Sequence, residues 1–223
     1  MFEMIMKEYL NENNLEELLK YLYPNTTWIK NKVIPKEIYE ERVKENKEAI
    51  LGRRLFRPDY RNEEESIVVE FDGIAHYQDT NVYFNDIMRQ VYYEELGYKF
   101  IQIPYFIQPT KKVVKELFNI DVKSDLTEKK NGFNVFNGKL NKHLPASFSE
   151  LGVRRFISEL NRFDIETQNE IIDTLYQNYA IVGLSMYVLP LSLIDFLSFE
   201  ITEEDRKYNE HFKLMNYERV TKE

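Results

Sequence analysis

Residues 57–79 read RPDYRNEEESIVVEFDGIAHYQD and contain the pattern that decides the fold. The β-branched and aromatic run at 67–71 predicts a strand, and a second strand is predicted around 57–61. A short acidic connection joins them, so the two strands are expected to form a hairpin. Because successive side chains of a strand point to opposite faces, Glu70 and Asp72 are expected to lie on the same face.

The segments around this hairpin alternate between strand and helix patterns. They are a helix in 3–22, a strand in 26–34, an exposed charged helix in 36–50, a helix in 81–97, a strand in 99–106 and a helix in 109–118. This order indicates the α/β class, with a central mixed β-sheet flanked by helices.

Local signals place several details of the helices. The helix in 81–97 is expected to end at Gly97, and Thr110 is expected to cap the helix that follows it. Ser147 and Glu150 have the spacing of a capping box. One apolar face of the 81–97 helix is expected to contain Phe84, Ile87, Met88, Val91 and Tyr92.

The chain divides into two predicted units. Residues 1–124 form the core, with a charged insertion near 36–52. Residues 125–223 form a mainly helical C-terminal subdomain, expected to serve DNA recognition or dimerisation. Further helices are predicted in 165–188 and from residue 202 onward.

Composition excludes several classes of protein. The 223 residues contain no cysteine, which rules out disulfides, zinc sites with thiolate ligands and cysteine nucleophiles. A formal net charge of −8 argues against coating nucleic acid through bulk electrostatics. The N-terminus lacks a signal-peptide pattern and no stretch approaches the ~18 apolar residues of a membrane span, so a cytoplasmic protein without membrane contact is expected.

The hairpin concentrates negative charge. If its strands pair, Asp59 lies beside Glu70 and Asp72, and three neighbouring carboxylates repel one another. A divalent cation would neutralise them, and Mg²⁺ is the ion that prefers such oxygen ligands, with Mn²⁺ expected to substitute for it. The alternative from periodicity alone is a surface hairpin with ordinary solvated acids.

Two motifs extend this pattern, RPDY at 57–60 and IVVEFDGIAH at 67–76. With them the chain resembles the PD-(D/E)XK nuclease superfamily, which has the restriction-endonuclease-like fold. The longer series EFDGIAHYQDTNVYFNDIMRQVYYEELGYKFIQIP at 70–104 is similar to the branch related to very-short-patch-repair endonucleases. The resemblance covers roughly residues 10–118, and the zinc-binding Cys and His residues usual in the repair enzymes are missing.

This resemblance implies roles for individual residues. Asp59 matches the metal-binding aspartate, Glu70 matches the acid of the second half-motif, and Asp72 stands where the lysine is usual and would be a third metal ligand. His76 would then contribute acid–base chemistry in place of the lysine, although a hydrogen-bonded loop histidine is the alternative. Arg89 would contact the scissile phosphate or brace the acids.

Other residues are expected in supporting roles. Gln78 and Asp86 follow the motif, although Asp86 and Arg89 are three residues apart on a helix and could simply pair with each other. Glu17, or its neighbour Glu16, would approach the metal from the N-terminal helix. Nucleic-acid contacts are expected from Arg53, Arg54, Arg57, Lys111 and Lys112.

The resulting expectation is a Mg²⁺-dependent DNA endonuclease, most simply a type II restriction-like enzyme acting on double-stranded DNA. Cleavage of both strands would favour a homodimer, and a restriction role would require a partner methyltransferase in the host. The alternatives are a non-catalytic nucleic-acid-binding module of the same fold, a nicking or repair enzyme, and a nuclease that acts on RNA.

Overall fold

The computed structural model describes residues 6, 10–46, 53–127 and 148–171, which form an α/β structure around a four-stranded mixed open sheet. The strands are β1 (Ile29–Lys30), β2 (Tyr60–Asn62), β3 (Ile67–Asp72) and β4 (Lys99–Pro104). The helices are α1 (Leu15–Leu22), α2 (Lys36–Glu45), α3 (Ala75–Gln78), α4 (Thr80–Glu95), α5 (Lys111–Phe118) and α6 (Glu150–Leu160), and residues 165–171 are also helical. The predicted α/β class is therefore confirmed.

The sheet has the strand order β1-β2-β3-β4. β1 and β2 are antiparallel, β2 and β3 form the predicted antiparallel hairpin, and β4 runs parallel to β3. Tyr60 is opposite Val69 in the hairpin, and Asn62 is opposite Ile67. The connection from β3 to β4 contains α3 and α4, as parallel strands require a crossover.

The sheet separates two apolar clusters, and this confirms the alternation along β3. Val69 belongs to the larger cluster, which also contains the leucines of α1 and the apolar faces of α5 and α6. Val68 belongs to the smaller one, together with Tyr93 of α4. Glu70 and Asp72 share the face of Val68, so both carboxylates lie on the side covered by α4.

The orientation of α4 differs from the one that periodicity predicted. Tyr92 is buried as expected, but the other four residues of the predicted apolar face are exposed. The reason is that the face of α4 turned toward the sheet carries Asp86 and Arg89, which contact other charged side chains. Gly97 ends the helix region at φ 80, as predicted. The exposed residues are Phe84 at 55%, Ile87 at 42%, Met88 at 39% and Val91 at 38%.

Helix α6 packs closely on α3. Ser149 is its N-cap, and its Oγ accepts a hydrogen bond from the Gly152 N–H at 3.1 Å. The cap predicted at Ser147 lies outside the described residues, as do the helical segments predicted beyond residue 171. A Cβ at position 152 would lie 1.8 Å from the Tyr77 carbonyl oxygen, so only glycine permits this approach.

The described part of the predicted C-terminal subdomain thus packs against the core, while the boundary near residue 124 stays a prediction. Within the described ranges, no helix has the combined length and apolar character needed to cross a membrane.

Candidate active site

Two carboxylates meet across the hairpin, and we call Asp59 and Glu70 the hairpin pair. Tyr60 is opposite Val69, so the next step of the antiparallel register puts Asp59 across from Glu70. Asp59 Oδ2 accepts a hydrogen bond from the Phe71 N–H at 2.8 Å, which fixes the carboxylate against β3. Glu70 is 3% exposed and points toward α4.

The charge of the hairpin pair is incompletely compensated. Arg89 Nη1 lies 2.9 Å from Glu70 Oε1, but the contact lacks hydrogen-bond geometry, and this buried oxygen accepts no hydrogen bond from the described residues. Burial raises the pKa of Glu70 to about 8, with Asp59 and Asp72 adding to the rise and Arg89 opposing it. Burial also raises the pKa of Asp59. A cation beside these two groups would favour their charged forms.

A second group lies at the carboxyl end of β3, and we call Asp72, His76 and Asp86 the buried triad. Their potential ligand atoms all lie within 4.8 Å of one another, so the group could hold a metal ion. The short helix α3 turns the chain so that His76 Nδ1 is 2.6 Å from Asp86 Oδ2 and 3.3 Å from Asp72 Oδ1. These contacts engage Nδ1 and leave Nε2 as the nitrogen available to another group.

Helix α6 contributes an arginine to the buried triad. Arg155 Nη1 donates to Asp86 Oδ2 at 2.7 Å, Nη2 donates to Asp72 Oδ2, and Nε donates to Glu159 Oε1 at 2.7 Å. Tyr77 Oη donates to the other oxygen of Glu159 at 2.5 Å. Sequence reasoning missed this arrangement, because Arg155 lies 83 residues from Asp72 and no local spacing connects the two.

The titration of the buried triad follows from these partners. Burial raises the pKa of Asp72 to about 7, although Arg155 and His76 oppose the rise. Burial would also raise the pKa of Asp86, but the bonds and charges of His76 and Arg155 together outweigh it and lower this pKa. Burial would lower the pKa of His76, yet its bond to Asp86 and the charges of Asp72 and Asp86 together outweigh burial and raise it. The imidazole therefore holds its proton more firmly than a free histidine does.

The predicted partners of α4 separate between the two groups. Asp86 and Arg89 do not form the local pair that their spacing allowed, since Asp86 bonds to the buried triad and Arg89 contacts Glu70. His76 does make the local hydrogen bond of the alternative interpretation, and that bond is part of the buried triad.

Two predicted supporting residues lie apart from these contacts. Glu17 is exposed on α1 and Gln78 is exposed at the end of α3, and no bond joins either one to the hairpin pair or the buried triad within the described ranges. Glu12, which precedes α1, is instead near enough to raise the pKa of Asp59. The assignment of Glu17 as an acid near the metal therefore stays a prediction.

The predicted basic residues lie on two sides of the sheet. Lys111 and Lys112 belong to α5, which covers the face opposite α4, and Lys112 forms an ion pair with Asp164 at 3.0 Å. The arginine segment instead runs beside α4, since Tyr92 Oη donates to the Arg54 carbonyl at 3.2 Å. This segment also includes Arg53 and Arg57.

An open cleft of about 260 Å³ lies between α4, β4 and α6, next to the buried triad. Gln102 contributes to its lining and is the β4 register partner of Glu70, whereas Glu70 and Asp59 themselves do not line the cleft. Arg154 and Arg162 line the α6 side of the cleft, and Tyr83 lines the α4 side. A polar ligand in this cleft would therefore meet Asp86 of the buried triad together with Arg154 and Arg155.

Comparison with known proteins does not indicate a family or a function, because the chain matches no protein-family model, no curated protein and no solved structure.

Proposed function

We propose that this chain is a Mg²⁺-dependent endodeoxyribonuclease that hydrolyses phosphodiester bonds and has a PD-(D/E)XK-type core in the restriction-endonuclease-like class. The observation that supports this most is the hairpin pair, in which Asp59 precedes β2 directly and bonds to the β3 backbone next to Glu70. A histidine and two further acids lie at the carboxyl end of the same strand. The proposed substrate is double-stranded DNA, and the proposed role is type II restriction-like cleavage.

The hairpin pair fits a hard divalent cation. Both groups offer carboxylate oxygens, which Mg²⁺ prefers, and Glu70 has a buried oxygen that accepts no hydrogen bond from the described residues. Asp59 and Glu70 would hold the ion, whereas Asp72, the third ligand predicted from the sequence, already pairs with Arg155. Bound Mg²⁺ would lower the pKa of a coordinated water and stabilise negative charge on the phosphodiester.

Two side chains of the protein have complementary tasks in this proposal. His76 is held through Nδ1 by Asp86, which leaves Nε2 to exchange a proton with water or with the leaving oxygen. Arg89 lies beside Glu70, and a guanidinium can donate to phosphate oxygens with its remaining N–H groups. Both act on the face of the sheet where the cleft opens.

The test is incubation of purified protein with unmethylated plasmid DNA and with RNA, in Mg²⁺ or EDTA. Asp59→Asn and Glu70→Gln are expected to abolish Mg²⁺-dependent DNA cleavage, whereas Glu64→Gln, an exposed acid of the same hairpin, retains it. Discrete DNA fragments indicate restriction, and a single nick per molecule indicates a nicking enzyme. Cleavage that survives both substitutions contradicts the site, and cleavage of RNA alone redirects the substrate.

One observation favours a second candidate, a non-catalytic nucleic-acid-binding module of the same fold. Arg155 neutralises Asp72 and Asp86 without any metal, so part of the acid cluster has a structural reason to exist. Binding of DNA without cleavage under every metal condition would support this candidate over the nuclease.

A further inference from the structure

The buried triad contains a network of short ion pairs, because the side chain of Arg155 already lies against its two aspartates. Each of the three guanidinium nitrogens of Arg155 bonds to a different carboxylate. Two of those carboxylates, Asp72 and Asp86, belong to the group that could otherwise hold a metal ion. A divalent cation between them would lie against a fixed positive charge.

The position of Arg155 is fixed by the packing of its helix. Ser149 Oγ bonds to the Tyr77 carbonyl at 3.1 Å, and Gly152 lets α6 contact the same residue. Tyr77 in turn donates to Glu159, which is the third carboxylate partner of Arg155. Arg155 is 7% exposed and bonds through all three guanidinium nitrogens, so leaving the carboxylates would break three hydrogen bonds.

Arg89, the arginine of the hairpin pair, is held much less firmly. It makes one 2.9 Å contact with Glu70 without hydrogen-bond geometry, and its side chain is 25% exposed. Its Nε is buried and has no hydrogen-bond partner among the described residues. Arg89 therefore has fewer bonds to break in leaving Glu70 than Arg155 has in leaving Asp72 and Asp86.

We propose that Arg155 is the resident cation of the buried triad, where it excludes divalent cations and acts as a positioning residue for Asp72 and His76. If the proposed metal-dependent function holds, a divalent cation is thereby confined to Asp59 and Glu70. Replacing Arg155 with an uncharged side chain would leave Asp72, His76 and Asp86 together without their counter-ion, which creates a cation site that the native protein does not have.

The test measures Mn²⁺ stoichiometry by isothermal titration calorimetry and by electron paramagnetic resonance of free Mn²⁺. Arg155→Met is expected to bind one more Mn²⁺ than the native chain, and adding Asp72→Asn to that variant removes the extra ion. Arg154→Met, at the exposed neighbouring arginine, keeps the native stoichiometry. A folded Arg155→Met protein that gains no Mn²⁺ overturns the proposal, and a merely structural role for Arg155 could not produce a gain.

His76→Gln in the native background provides a test that does not need Arg155→Met to fold. It is expected to leave Mn²⁺ affinity within about 2-fold of native, whereas losing even a side chain that supports a metal ligand would weaken it by about 10-fold or more. A loss of Mn²⁺ affinity of about 10-fold or more overturns the proposal. A native chain that binds no Mn²⁺ contradicts the proposed nuclease function alone, since a gain in Arg155→Met would still support the assignment of Arg155.

Discussion

The hairpin pair and the buried triad are both built from buried carboxylates, but the chain compensates their charge differently. Arg155 gives the buried triad a buried counter-ion with a separate bond to Asp72 and to Asp86. Glu70 of the hairpin pair has one imperfect contact and an oxygen without a hydrogen bond from the described residues. The difference teaches that clustered acids alone do not indicate a ligand site. The informative feature is how completely the protein compensates the charge of those acids.

The largest expected effect comes from removing the counter-ion of the buried triad. Arg155→Ala leaves several buried carboxylates without their cation and is expected to lower the free energy of unfolding by about 3–5 kcal/mol at pH 8. Arg89→Ala is expected to lower it less, because Glu70, with a pKa already raised to about 8, can bind a proton instead. Urea denaturation monitored by circular dichroism measures both losses.

Arg154→Ala is the matched control for this pair, since it removes a solvent-exposed arginine from the same helix. Its expected change is within about 0.5 kcal/mol. Equal losses for Arg89→Ala and Arg155→Ala would contradict the distinction between the two groups.

A smaller loss of stability is expected from Gly152→Ala, which tests whether α6 must approach α3 so closely. The new Cβ would clash with the Tyr77 carbonyl and move the helix, so a loss of about 1–3 kcal/mol is expected. Gly73→Ala is the control, because a Cβ there meets no atom within 4 Å. Thermal denaturation of the two variants measures this difference. Similar melting temperatures would contradict the need for a close approach of α6 to α3.

The hairpin pair is also expected to make the free energy of unfolding depend on pH. Between the ordinary pKa of glutamate, 4.5, and about 8, the folded chain keeps a proton on Glu70 that the unfolded chain has lost. The free energy of unfolding in the absence of metal therefore falls as pH rises through this range, by up to about 1.4 kcal/mol for each pH unit from this group. Asp72 contributes a further decrease in the free energy of unfolding up to about pH 7.

The Glu70→Gln variant isolates the contribution of that side chain. Denaturation at a series of pH values should show a flatter dependence for Glu70→Gln than for the native chain, while Glu64→Gln follows the native curve. Identical slopes for native chain and Glu70→Gln would show that Glu70 titrates normally.

The smallest effects concern the predicted nucleic-acid contacts on the two faces of the sheet. Arg54→Gln and Arg57→Gln are each expected to weaken DNA binding uniformly across sequences and to lower the salt slope by about 1. Lys111→Gln and Lys112→Gln are expected to have no effect, since α5 covers the face opposite α4. Fluorescence anisotropy in Ca²⁺, on an Asp59→Asn background, separates binding from cleavage. Comparable losses from both clusters would refute this assignment of faces.

Local chemistry explains why part of the structure was predictable. The alternation along β3 put Glu70 and Asp72 on one face because side-chain direction in a strand depends only on neighbouring residues. Thr110 caps α5 through a bond with the Val113 N–H at 3.3 Å, and Gly97 ends α4 with a positive φ. Each of these features is set within a few residues.

The features that sequence reasoning missed depend on distant packing. Arg155 and Glu159 reach the site from a helix outside the resembling segment, and no spacing rule connects them to Asp72. The orientation of α4 also depends on distant residues. The contacts of Asp86 and Arg89 with other charged side chains turn these two residues, rather than the apolar ones, toward the sheet. β1 contains two residues rather than most of 26–34, because only Ile29 and Lys30 pair with β2.

The docking of α6 through Gly152 also bears on how this protein can be divided and inherited. A truncation after residue 124 would keep the whole motif, yet Asp72 and Asp86 would lose the cation that accompanies them. We therefore expect the motif-bearing half to be less stable on its own, and a recombined gene that exchanged the C-terminal helices to need a matching change at position 72. Selection is expected to act on Asp72, Gly152 and Arg155 as a single inherited combination.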